Sequence, residues 1–280
     1  MKTMIKITTL CFAILCFTFN ANAQSLTPQP STSQTIEQGF GLGKISLSYF
    51  RPSVKERNIF GGLVPYGKVW RTGANAATTI TFSEDVAMGG QKITAGKYGL
   101  FTIPGEKEWT VILNKDAAQW GSYTYKEDQD ILRIKVKPVA INPKVETFTI
   151  QFANVKDGSL DLYLAWENTG VYIPFTVEYD AKVMANIEAA MKTDKKPYFP
   201  AALYYLENNK DLNKALEWAS EAEKSNPKAP WFKVGKARIQ LKMGDKKGAN
   251  ITATEALKIA KEINNEEYVR LSQDLINQSK

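Results

Sequence analysis

The hydrophobic period changes once along the chain, near Tyr179, and that change sets the architecture. From about Lys44 to Tyr179 apolar residues recur at every second position, the period of strands with one buried face. Ile45, Leu47 and Tyr49 share a face, and ILRIKV puts Leu132, Ile134 and Val136 inward with Arg133 and Lys135 outward. TTITF, KYGLFTI, EWTVILN, TFTIQF, LDLYLAW and IPFTVEY repeat the scheme, and PGEK at Pro104 joins two of them as a hairpin. About eight closely spaced strands with short turns predict an antiparallel sandwich; a closed, ligand-holding barrel is the alternative that gives the same alternation.

After Tyr179 the spacing becomes helical. Asp180 is the expected N-cap of AKVMANIEAAMK, whose Val183, Met184, Ile187 and Met191 lie on one face. Further helices are expected from Asp211, from Trp231 beyond Pro227 and Pro230, and after Gly244-Asp245. Asp211, Ala215 and Ala222 recur 34 residues on as Asp245, Ala249 and Ala256, the period of tetratricopeptide repeats, with Pro227 closing the first unit. A plain bundle with an alanine seam accounts for the same residues. The chain as a whole therefore reads as α+β: a linker over 24–43, an all-β domain over 44–179 and an all-α, repeat-like tail over 180–280.

The first residues read as an export signal, with Lys2 and Lys6 before the apolar TLCFAILCFTF and a small-residue cleavage site after Ala23. A chain starting near Gln24 would be periplasmic or secreted and soluble, with no later segment apolar enough to anchor it in a membrane. Cys11 and Cys16 leave with the signal, so burial rather than disulfides must hold the fold. The chain has no histidine, and the loss of both cysteines removes Ser-His-Asp triads, thiol nucleophiles and Cys/His zinc sites. No cofactor or metal site is expected. Carboxylate-pair chemistry stays open.

The formal net charge is +7, but it is unevenly placed: the strand region from Gln24 to Tyr179 has sixteen bases against fifteen acids, the tail eighteen against fourteen. The lysines of the tail are scattered among acids, as on solvated helices, which argues against nucleic acid as a partner. One stretch of the near-neutral strand region departs from balance. RPSVKERNIFGGLVPYGKVWRTGAN, Arg51 to Asn75, carries Arg51, Lys55, Arg57, Lys68 and Arg71 against the single acid Glu56. Tyr66 and Trp70 offer ring faces there and Asn75 an amide, a combination suited to a polar ligand with a carboxylate or an apolar face. Ordinary loop packing, with Arg51 or Arg71 paired to Glu84, Asp85 or Glu167, is the competing reading. WGSYTY is the second candidate: Trp120, Tyr123 and Tyr125 could stack on sugar, or Tyr123 and Tyr125 could share a buried strand face.

SYFRPSVKERNIFGGLVPYGKVWRTGANAATTITFSEDV, ITAGKYGLFTIPGEKEWTVILNKD, WGSYTY and LAWENTGVYIPFTV together resemble an exported bacterial family known as domain of unknown function 2911, over roughly Ser46 to Val177. The resemblance implies domain limits and export and transfers no catalytic residue. The expected function is that of an envelope protein without catalysis, binding a polar or glycan-like ligand and contacting another protein through its tail. A carboxylate-dependent hydrolase of envelope polymers and a purely structural assembly protein are the alternatives.

Overall fold

A computed structural model describes residues 27–280, so the expected export signal lies outside the described residues. The chain divides into two compact units that meet in sequence at Val177 and Glu178.

In the first unit the strands are β1 (Thr32–Phe40), β2 (Gly43–Arg51), β3 (Thr78–Phe82), β4 (Val86–Met88), β5 (Gln91–Ile93), β6 (Gly96–Ile103), β7 (Trp109–Asn114), β8 (Asp130–Val136), β9 (Pro138–Lys156) and β10 (Ser159–Thr176). They form two separate antiparallel sheets, ordered β1-β2-β3-β6-β7-β8 and β5-β4-β10-β9. The inner faces meet through rings: Tyr49 of β2 stands edge-on to Phe148 of β9 at 5.8 Å, and Phe82 of β3 lies 5.5 Å from Phe175 of β10. Two sheets packed face to face make a sandwich rather than a closed barrel.

The alternation of Ile45, Leu47 and Tyr49 reports a real inner face, all three being buried. The sequence pattern misses three strands and counts one twice: the three-residue β4 and β5 are too short to alternate, LDLYLAW and IPFTVEY belong to the single strand β10, and β1 falls in the stretch expected to be a linker. That strand pairs along its length with β2 but lies at a sheet edge, and of TSQTIEQGF only Phe40 is fully buried. An edge strand that covers little of the core needs no apolar alternation, so its sequence looks like a linker.

The second unit has six helices where four start signals are legible: α1 (Asp180–Ala190), α2 (Tyr198–Glu207), α3 (Leu212–Ser225), α4 (Pro230–Lys242), α5 (Lys246–Glu262) and α6 (Glu266–Gln278). Asp180 does not cap α1. It is the first helical residue, and its carboxylate accepts from Tyr204 Oη at 2.6 Å and Lys210 Nζ at 2.7 Å. Asp211 and Asp245 do cap: the first accepts from the backbone N–H groups of Asn213 and Lys214, the second from that of Gly248. The alanines that recur with them, Ala215 and Ala249, Ala222 and Ala256, are all buried. The absence of larger side chains there lets neighbouring helices approach closely.

Lys233 of α4 is buried and bridges helices on either side, donating to Glu223 of α3 and to Glu255 of α5, the latter at 2.8 Å; Glu223 also accepts from Lys236 at 2.8 Å. Burial alone would raise the Glu223 pKa and lower that of Lys233. The two lysines outweigh it for Glu223 and hold its carboxyl below the usual range, while the paired carboxylates hold the Lys233 ammonium above its own. A depressed carboxylate contributes stability above its unfolded pKa and loses it as pH falls through the folded value. Glu223→Ala should therefore lower the stability of the helical unit by about 1–3 kcal/mol near neutral pH. The difference from wild type should shrink in acid, as pH falls below the usual carboxylate range and through the depressed pKa of Glu223, as followed by urea melts of the far-ultraviolet helical signal.

Candidate functional site

The loop from Pro52 to Ala77 joins β2 to β3 with no named strand or helix of its own. Connections this long in a compact domain are usually functional. It is nevertheless fastened. Val54 N–H donates to Glu146 O at 2.8 Å, and Trp70 exchanges two backbone hydrogen bonds with Thr102 of β6, at 2.7 and 2.9 Å. Four non-glycine residues in it take left-handed conformations: Lys55, Glu56, Thr72 and Asn75. The most costly is Thr72, because a β-branched side chain at φ 55° is disfavoured by about 1–3 kcal/mol. Its neighbours enforce the conformation. The Thr72 hydroxyl lies 3.1 Å from that of Thr102, and Thr78 Oγ1 donates to Thr72 O at 2.6 Å. Arg71 thus sits between a residue pinned to β6 and a residue held under strain.

Beside this strained turn is a cavity of about 400 Å³, whose lining includes Lys55, Arg57, Arg71, Asn75, Trp70 and Trp166. Three cations and no Asp or Glu line it. Arg57 is internally satisfied, donating through Nε to Val54 O at 3.0 Å and through Nη2 to Ser53 O at 2.7 Å. Arg71 is not. Its half-buried guanidinium has no carboxylate partner among the described residues, and its buried Nε–H has no acceptor. Trp166 of β10 is 1% exposed and its Nε1–H is likewise without an acceptor. Its indole stacks on Trp70, with centroids 5.8 Å apart and planes at 16°.

Not all the cations of Arg51 to Arg71 share this cavity. Arg51 is a strut between the sheets, donating through Nε to Phe148 O at 3.1 Å and through Nη2 to Thr149 Oγ1 at 2.9 Å. Neither it nor Arg71 pairs with Glu84, Asp85 or Glu167. Tyr66 is also elsewhere. Its ring covers Gly61, where a Cβ would meet it at 2.7 Å, and borders a separate cavity of about 210 Å³ beside Trp109 and Pro138. Trp70 is 8% exposed, with its Nε1 donating to Gly73 O, so it is core as well as lining. Asn75 Nδ2 donates to Ser31 O at 3.4 Å.

WGSYTY forms a turn, not a strand, so Tyr123 and Tyr125 share no face. Trp120 is 66% and Tyr123 83% exposed. Tyr125 turns inward to within 5.2 Å of the Phe101 ring and donates to Asp130 Oδ2 at 2.6 Å, while Arg133 Nη2 donates to its hydroxyl at 2.7 Å. Burial, together with the Asp130 carboxylate, pushes its phenol up to about 12. Tyr125 is thereby spent on the fold.

The structure brings the two candidate stretches together. Gly121 N–H donates to Asn75 O at 3.0 Å, Ala77 N–H to Gln119 O at 2.9 Å, and Ser122 Oγ to Val69 O at 3.2 Å. Gly121 has φ 72°, and a Cβ there would lie 2.7 Å from Tyr123 Cε2 and 3.3 Å from Arg71 Nη1. The exposed phenol ring and the unpaired guanidinium therefore converge over the bare face of one glycine.

A family model described as "Protein of unknown function (DUF2911)" matches residues 31–175, more than half of the chain. The chain belongs to the DUF2911 family. No curated protein and no solved structure matches it. Within the DUF2911 match lie all of Lys55, Arg57, Arg71, Trp120, Tyr123 and Trp166, whereas the helical unit lies outside it. Trp166 is the lining residue that sequence reasoning missed, since an indole on the buried face of a strand carries no signal that separates ligand contact from core.

The rings of the DUF2911 domain differ in what they support, and substitution should show it. Trp70→Ala removes a side chain packed against Trp166, Phe148, Phe60 and Trp109 and should cost about 3–5 kcal/mol. Tyr123→Ala at an exposed position should stay within about 0.5 kcal/mol of wild type in the same denaturant titration.

Proposed function

We propose that this chain is an exported envelope protein without catalysis, whose DUF2911 domain binds the anionic group of a small polar ligand in the Arg71 cavity and whose helical unit contacts another protein. The observation that carries the reading is Arg71 itself. A guanidinium half withdrawn from water with no acid beside it is costly, and a ligand carboxylate arriving at its Nη groups compensates it with charge-assisted hydrogen bonds. Lys55 and Arg57 on the same wall add to the attraction. The lining contains no carboxylic acid, which leaves a hydrolase without its acid and base at this cavity.

For the helical unit, support comes from the 34-residue recurrence of cap and alanine, as in tetratricopeptide arrays, and from a cavity of about 760 Å³ bordered by Leu206, Arg238, Leu241 and Leu271. Stacked helix pairs present such concave faces to partners. Export rests on the residues before Gln24; among the described residues no helix is long and apolar enough to cross a membrane. The intact mass of the protein recovered from a periplasmic fraction should correspond to a chain beginning at Gln24.

Arg71→Met tests the cavity directly, because it removes the charge, keeps most of the volume and strands no carboxylate. In a calorimetric titration with glucuronate the substitution should weaken binding at least about tenfold, with Tm unchanged or raised. A stability loss of about 3–5 kcal/mol, with no acid bound by the wild type, would mark Arg71 as a structural strut and overturn the reading.

A further inference from the structure

We infer that the Arg71 cavity and the exposed rings of Trp120 and Tyr123 form one extended site for an acidic oligosaccharide, with one carboxylate in the cavity and a neighbouring sugar stacked on the rings. The inference rests on the cavity reading above and adds to it the ligand class. Two observations join the patches and a third points to a ligand. The Tyr123 ring and Arg71 Nη1 both lie within 3.3 Å of the point where a Cβ of Gly121 would sit. The segments that carry them are stitched together by the Gly121 to Asn75 and Ala77 to Gln119 hydrogen bonds and by the bridge between Ala76 and Trp120. Trp166, nine-tenths and more buried, lines the cavity and holds a donor with no acceptor among the described residues.

The chemistry of the two patches narrows the occupant. Trp120 and Tyr123 leave large apolar faces in water, beside a wall whose charges are all positive. A sugar presents an axial C–H face that packs on an aromatic ring and hydroxyls that stay solvated at its edge; a sugar acid adds the carboxylate that the guanidinium lacks. A simple organic acid fills the cavity and leaves the rings bare. A neutral glycan covers the rings and leaves Arg71 uncompensated. Only a chain with both features uses both patches.

The test is a calorimetric titration of the chain beginning at Gln24 with galacturonate, with its trimer, with the neutral galactose trimer and with adenosine monophosphate. The acidic trimer should bind about tenfold more tightly than the monomer, since ring stacking adds of that order. Trp120→Ala/Tyr123→Ala should bring the trimer down to the monomer's affinity, with the monomer unaffected; Arg71→Met should weaken both. Both rings are exposed, so the double variant should melt with the wild type, and each single variant should show part of the loss. Equal affinity of trimer and monomer, unchanged in the ring variant, would overturn the extended site and leave the cavity reading standing. Binding of the neutral trimer or of the nucleotide as tight as that of the acidic trimer would overturn the assignment to acidic sugars. No binding of either acid would overturn both this inference and the reading beneath it.

Discussion

The indole of Trp70 lies among Trp166, Phe148, Phe60 and Trp109, rings contributed by both sheets and by the loop itself, and much of the β-domain depends on that contact. The described residues contain no cysteine, so no covalent link holds the sandwich. Cohesion comes from burial, and large rings remove more apolar surface per ordered residue than any other side chain. Because Trp70 belongs to the long loop rather than to a strand, the same burial that closes the core also fixes the loop against β6. The position of Arg71, the next residue, is thereby inherited from the core.

That coupling explains how the loop sustains what would otherwise be unfavourable. Thr72 and Asn75 adopt left-handed conformations, Arg71 Nε and Trp166 Nε1 are buried without acceptors, and three cations share a wall without an acid. The Thr72 conformation and the two unsatisfied donors each oppose folding by an amount on the order of a kilocalorie, and all three lie around one cavity. Strain and unsatisfied donors spread at random would be expected to disappear under selection for stability. Concentrated beside one cavity, and offset by a ring cluster next door, they are what the proposed ligand site would keep in place.

What the sequence discloses follows the same division between burial and geometry. Alternation locates β2, β3 and β6 to β10 because each has a face that must be apolar. It fails for β1, whose edge position asks little of its side chains, and for α2, which has no side-chain cap and a proline within its first turn. It also gives no separate start for α6, although Asn265 caps it, because the polar run Asn264 to Glu267 continues the solvated face of α5 without a break. The charge imbalance of Arg51 to Arg71 is visible as composition. Which cations meet is not, since Arg51 ends a strand and reaches across to β9 while Arg71 follows the pinned Trp70. Tyr125 and Tyr123, two residues apart, go to opposite fates because Asp130 and Arg133 capture only the first.

Gly121 shows how little of a composite site a linear reading can contain. At φ 72° it occupies a conformation open to glycine, and it sits where a side chain would strike the Tyr123 ring. Its N–H fastens the aromatic turn to Asn75, at the end of the strained loop. Cation and ring are fifty residues apart in the chain, roughly as Arg71 is from Gly121, and neither stretch has a reason in its own sequence to seek the other. Their meeting is a property of register: Thr78 at the start of β3 and Leu113 near the end of β7 both pair with Leu100 of β6, so the loop before β3 and the turn after β7 leave the sheet side by side. The cation and the rings are therefore written in two places and brought together by the register of three strands that contribute neither.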